Sequence, residues 1–155
     1  MSKFESADLL LKLYDLRREK KMRKARNWIF SFNPTSADEY FQTMMDPEVG
    51  PYLRMVTSYW DMTAAMVNQG AIDAELFNAT VGEHYMVFAK VEPYLAELRE
   101  KFQNPEAFKN LEKVIADAPN GPERLTKTQE WLKGMAAEFA ARAAAGKEKS
   151  DKAGA

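Results

Sequence analysis

The stretch Tyr52-Leu-Arg-Met-Val-Thr-Ser-Tyr-Trp-Asp-Met-Thr-Ala-Ala-Met-Val-Asn-Gln69 limits the fold more than any other. Tyr52, Met55, Val56, Tyr59, Met62, Met66 and Val67 follow helical spacing, and Leu53, Trp60 and Ala64 fill most of the remaining surface. A helix that is apolar on nearly every side is normally buried on most sides by other helices. The polar residues Arg54, Ser58, Asp61 and Asn68 form one narrow stripe along it. Helix 52–69 is therefore expected at the centre of an all-α bundle of about five or six helices.

The flanking segments carry their own start and stop signals. Ser6-Ala-Asp8 offers a cap to a first helix with Leu9, Leu10, Leu13, Tyr14 and Leu16 on its stripe. The chain then runs as one helix, or as two broken near Asp15, until Asn33-Pro34 stops it. Thr35 or Ser36 caps a short helix over roughly 37–45, and Asp46-Pro47-Glu48 is a second start signal. Gly70 suits the left-handed position that ends the central helix. Asp73 caps the next, with Ile72 and Phe77 spaced as a hydrophobic staple. Breaks are expected near Gly82 and Pro93, a third start at Asn104-Pro105-Glu106, and a loop at Ala118-Pro-Asn-Gly-Pro122. A last stripe runs through Leu125, Thr128, Leu132, Met135, Ala136, Phe139 and Ala143. Residues 1–145 are expected to form one domain, and 146–155, with nothing apolar to bury, a disordered tail.

Charge is unevenly placed. The 155-residue chain has a net charge of −1. Residues 17–26 hold seven basic groups and one acid, so the remainder carries −7. No cysteine is present, which excludes disulfides, thiolate metal sites and a cysteine nucleophile. Acids precede the short leucine run at 9–11 and no small-residue cleavage site follows it, so no signal peptide is expected. The window 52–67 contains Arg54 and Asp61 and is too short to span a bilayer. A cytoplasmic protein is expected.

Arg26-Asn-Trp28, Trp60-Asp61, Gly70-Ala-Ile-Asp73, Arg99 and Asn104-Pro105 stand in an order that resembles an uncharacterised bacterial all-helical family, known only as a domain of unknown function. The resemblance covers roughly residues 5–118. It implies a helical domain and brings no activity with it. Some members of such families carry an N-terminal membrane anchor, and none is expected here.

Candidate chemistry is sparse. His84 is the only histidine, so the paired Glu-x-x-His helices of a di-iron bundle are excluded. Glu83 beside it points about 100° away on a helix and is a poor co-ligand. No metal, cofactor or catalytic group is expected. Asp61, on the polar stripe of the most buried helix, needs a partner if buried. Arg26, Arg54 and Arg99 are candidates, and a structural role is favoured. The competing role is ligand orientation in a Met- and aromatic-lined pocket with Tyr59, His84 and Arg99. The basic residues Arg17, Arg18, Lys20, Lys21, Arg23, Lys24 and Arg26 are candidates for binding nucleic acid or another polyanion. Anionic lipid is the weaker version, because the run itself offers only Met22 and Ala25 as an apolar face. The leading expectation is a non-enzymatic helical interaction or scaffold domain that self-associates. Polyanion binding and a small-molecule pocket near Asp61 are the alternatives.

Overall fold

The structure is a computed structural model that describes residues 2–154. Among these the chain forms nine α-helices and one 3-10 turn. They are α1 (Lys3–Arg17), α2 (Lys20–Ser31), α3 (Ala37–Met45), α4 (Gly50–Asn68), α5 (Ala74–Thr80), α6 (Glu83–Val91), the turn Glu92–Tyr94, α7 (Leu95–Lys101), α8 (Lys109–Asp117) and α9 (Gly121–Ala153). The all-α bundle is as expected, with more helices because single breaks divide the longer runs. Arg18-Glu19 separates α1 from α2, Val81-Gly82 separates α5 from α6, and Pro93 tightens the chain before α7.

Helix α4 packs against α2, α8, α3, α6 and α5. Its buried face is Leu53, Val56, Thr57, Trp60, Thr63, Ala64 and Val67, an i, i+3, i+4, i+7 stripe. Tyr52, Met55, Tyr59 and Met66 are half-buried and Met62 is exposed, so the helix is less enclosed than its composition predicts. The hydroxyls of Thr57 and Thr63 are buried without cost to pairing, because each donates to a carbonyl one turn back, Leu53 at 2.8 Å and Tyr59 at 2.9 Å. Trp28 stacks on Phe32 and leans on Tyr52, which closes the side of the core between α2 and α4.

Several caps fall where the sequence places them. Ser36 accepts from Glu39 N–H, Asp73 accepts from Leu76 N–H, and Gly70 takes a φ of 76° beyond α4. The first helix differs. It begins at Lys3, capped by Ser2 and Glu5 in a reciprocal box. Ser6 is instead buried inside the helix, where its Oγ accepts from the Asp73 backbone N–H at 3.0 Å. The start signals at Asp46 and Asn104 make turns instead of the first turns of helices. The Asp46 carboxylate accepts from Glu48 and Val49 N–H, and the Asn104 side chain accepts from Glu106 N–H.

Residues 146–153, expected to be disordered, continue α9 as an exposed helix. Alanine, lysine and glutamate are strong helix formers, and a helix already nucleated on the body extends at one hydrogen bond per residue. Residue 155 lies outside the described residues.

The turn between α8 and α9 is the tightest in the fold. Gly121 N–H closes onto Ala118 O, and a Cβ at Gly121 would lie 1.7 Å from the Ile115 carbonyl oxygen. No side chain fits there without moving backbone. Gly121→Ala is expected to cost about 2 kcal/mol, read as a fall in the urea midpoint at unchanged slope. A wild-type midpoint would show that α9 reorients freely at this turn.

Candidate functional site

Helix α1 mixes apolar and charged residues around its circumference and buries only Ser6 and Leu13. It is pinned at separate points. Ser6 holds the Asp73 backbone, and the Tyr59 hydroxyl donates to Leu13 O at 2.5 Å. Arg17 lies 3.6 Å from the Glu83 carboxylate, with its guanidinium over the rings of Tyr14 and Trp60. Between these points α1 stands off α5 and leaves an apolar groove of about 310 Å³. Leu10, Leu11 and Tyr14 form one wall, Leu76 and Val81 the other, and Trp60 the floor. Phe4, Leu11, Tyr14 and Leu16 of α1 are all exposed.

The basic run does not act as one surface. Arg26 makes a two-pronged contact with Glu83, Nε at 3.0 Å and Nη2 at 2.6 Å, and this pairing raises its pKa. Glu83 therefore draws in Arg17 and Arg26 from the two ends of the run. Arg18, Lys20, Lys21, Arg23 and Lys24 remain exposed and, among the described residues, form no salt bridge.

Tyr59, Asp61, His84 and Arg99 are not brought together around one pocket. Asp61 has none of the expected arginine partners. One carboxylate oxygen accepts from Leu111 N–H at 3.1 Å and the other from the Asn110 side-chain amide at 3.0 Å. Leu111 is the third residue of α8, whose own N-cap, Phe108, sits at a φ of 60° and has no capping side chain. Asp61 thus does from α4 what a capping residue normally does locally. Arg99 donates to Ala107 O at 3.1 Å and approaches Glu112, on the same side of the body as α8. Arg54 donates to Met44 O at the end of α3.

His84 is fully buried, its ring 4.6 Å from Tyr85, 4.9 Å from Phe77 and 5.9 Å from Trp60 between centroids. Neither ring nitrogen has a hydrogen-bond partner, so no carboxylate or hydroxyl is set up to exchange a proton with it. Burial, with a smaller contribution from Arg124, pushes its pKa down to about 3. It is a neutral core residue at physiological pH. Among the described residues no three His, Asp or Glu side chains converge as a metal would need.

Sequence reasoning missed Lys90. It is 6% exposed, and its ammonium donates to Phe30 O, Phe32 O and Asn33 Oδ1. Among the described residues it forms no salt bridge. The carbonyls at the C-terminal end of α2 supply the negative end of a helix dipole, and Lys90 caps that end from α6. Burial lowers its pKa to about 8. A lone lysine within Val87-Phe88-Ala89-Lys90-Val91 was the available signal: a charge inside an apolar run must find acceptors.

Two outcomes follow from these placements. Asp61→Ala leaves the Leu111 N–H and the Asn110 side-chain amide without their acceptor and is expected to cost about 1–2 kcal/mol in urea unfolding. A loss under a few tenths would remove the capping role. For His84, the folded pKa lies below the unfolded value near 6.5, so the unfolded chain binds the extra proton. Its contribution to stability is complete above pH 6.5 and is lost as pH falls from there toward 3. The slope is about 1.4 kcal/mol per pH unit. His84→Leu should remove that slope between about pH 6.5 and 5, above the main carboxylate titrations. Parallel stability profiles for the two proteins would show that His84 reaches solvent.

No curated protein and no solved structure matches the chain. A family model does, over α1 to α8, and α9 lies beyond the match. With residues 3–118 matched, the chain belongs to the family described as a domain of unknown function (DUF4760).

Proposed function

We propose that this protein is a non-enzymatic helical interaction domain that self-associates through the projecting half of α9. The observation that carries the reading is one heptad-spaced row. Leu125, Leu132 and Phe139 stand seven residues apart on the same stripe. The first two are buried against the body, and the third lies past its end and is 51% exposed. From Ala137 to Ala153 every residue is exposed. These seventeen residues extend about 25 Å at the helical rise per residue.

An isolated helix of that length is marginal in water, and packing supplies most helical stability in proteins. A second arm laid along Ala136, Phe139, Ala140 and Ala143 would cover the stripe, and the small alanines would let the two backbones approach closely. The arm carries Arg142, Lys147, Lys149 and Lys152 against Glu138, Glu148 and Asp151, so two copies meet with little like-charge repulsion.

Light scattering coupled to size exclusion tests this on the full chain. The expected mass is twice the 17.7 kDa of the single chain. Phe139→Glu, at an exposed position, should return it to the single-chain mass with unchanged helicity by circular dichroism. A single-chain mass for the wild type at high micromolar concentration would sink the self-association reading.

A further inference from the structure

We propose that the groove between α1 and α5 is a binding site for a free aliphatic carboxylic acid, its carboxylate held by Arg17 and its chain laid along the apolar walls. On α1 the wall is built from Ala7, Leu10, Leu11 and Tyr14, spaced i, i+3, i+4 and i+7, so these side chains share one side of the helix. Asp8, Lys12 and Asp15 fall outside that stripe. The lining contains no acid and one base, Arg17. From Ala7 to Arg17 the helix rises about 15 Å. Beyond Ala7 a second hollow, which shares Ala7 and Leu76 with the groove, continues it along Phe4 and Ala79. The space is therefore long, apolar and charged at one end.

Arg17 selects the charged end of the occupant. Its side chain is 16% exposed, and its guanidinium lies 5.1 Å from the ring of Tyr14 and 5.4 Å from that of Trp60. Its approach to Glu83, at 3.6 Å, is longer than a hydrogen bond, and Glu83 is already held by the two-pronged contact of Arg26. Two bases thus share one carboxylate, and the cluster keeps one positive charge with guanidinium N–H groups to spare. A mostly buried charge of this kind is stabilised by a partner that brings one negative charge and two acceptor oxygens.

The rest of the lining argues against other occupants. The hydroxyls of Thr63 and Thr80 already donate to Tyr59 O and Leu76 O, so the walls offer little to the main chain of a peptide. A nucleotide brings several negative charges, with one spare guanidinium to answer them. An uncharged apolar molecule would fill the walls and leave Arg17 without a partner. An aliphatic monocarboxylate uses both the walls and the charge. The groove's volume of about 310 Å³ is at the small end of the range for small-molecule sites, which suits a medium-length chain. Its lining comes from α1, α4, α5 and Val81 and includes no residue of α9, so the site does not depend on the self-association reading.

Isothermal titration of the full chain with decanoate, kept below its micelle concentration, tests the site, with decanol as the uncharged counterpart. Saturable binding of one decanoate per chain is expected, and weaker binding of decanol. Arg17→Gln should weaken decanoate by about tenfold or more, at unchanged helicity by circular dichroism, and leave decanol as it is in the wild type. Thr80→Trp, at an exposed position, should put a ring into the groove and weaken decanoate at a wild-type melting temperature. Absence of saturable decanoate binding would overturn the proposal. So would decanoate binding that either variant leaves at wild-type strength, or an equal loss of acid and alcohol in Arg17→Gln, which would make the arginine a prop for the walls. The titration reads ligand uptake and not oligomeric mass, so its failure is distinct from failure of the α9 reading.

Discussion

Helix ends are the constraint on which this structure depends. Each α-helix leaves four N–H groups at its start and four carbonyls at its end without internal partners. A fold that cuts its chain into many short helices multiplies those ends, and buried ones must be paired. Here several are paired from a distance. Asp61 of α4 takes the start of α8, and Lys90 of α6 takes the end of α2. Arg54 takes the end of α3, and the Asn68 amide donates to Asn110 O in the first turn of α8. Each is a side chain reaching from one helix to the end turn of another. The polar stripe of α4 is therefore a set of clamps that fix where neighbouring helices stop and start.

The same view explains the residues that carry the family resemblance. Arg26 is spent on Glu83, Trp60 on the core, Asp61 on α8, Gly70 on a left-handed turn, Asp73 on the cap of α5, and Arg99 on the carbonyl of Ala107. All are engaged in joining helices. None of these residues is left over to form a catalytic constellation, and His84, enclosed by aromatic rings, offers neither nitrogen to a partner.

Local signals were legible where the physics is local. The caps at Ser36 and Asp73, the glycine exit at Gly70 and the break near Gly82 depend on neighbours within a few residues. What the sequence left open depends on the third dimension. The bond of Asp61 to α8 spans about fifty residues of chain, and the choice of Asn110 and Leu111 over three plausible arginines is set by packing. The basic run looked uniform because its charges are adjacent in sequence. The bend at Arg18-Glu19 and the single carboxylate of Glu83 divide it into two structural arginines and an exposed group. The helical tail, residues 146–153, depends on a different balance. Lack of apolar residues argues against burial, whereas lysine and glutamate following an alanine-rich turn of α9 favour helix, and the two criteria are not in conflict.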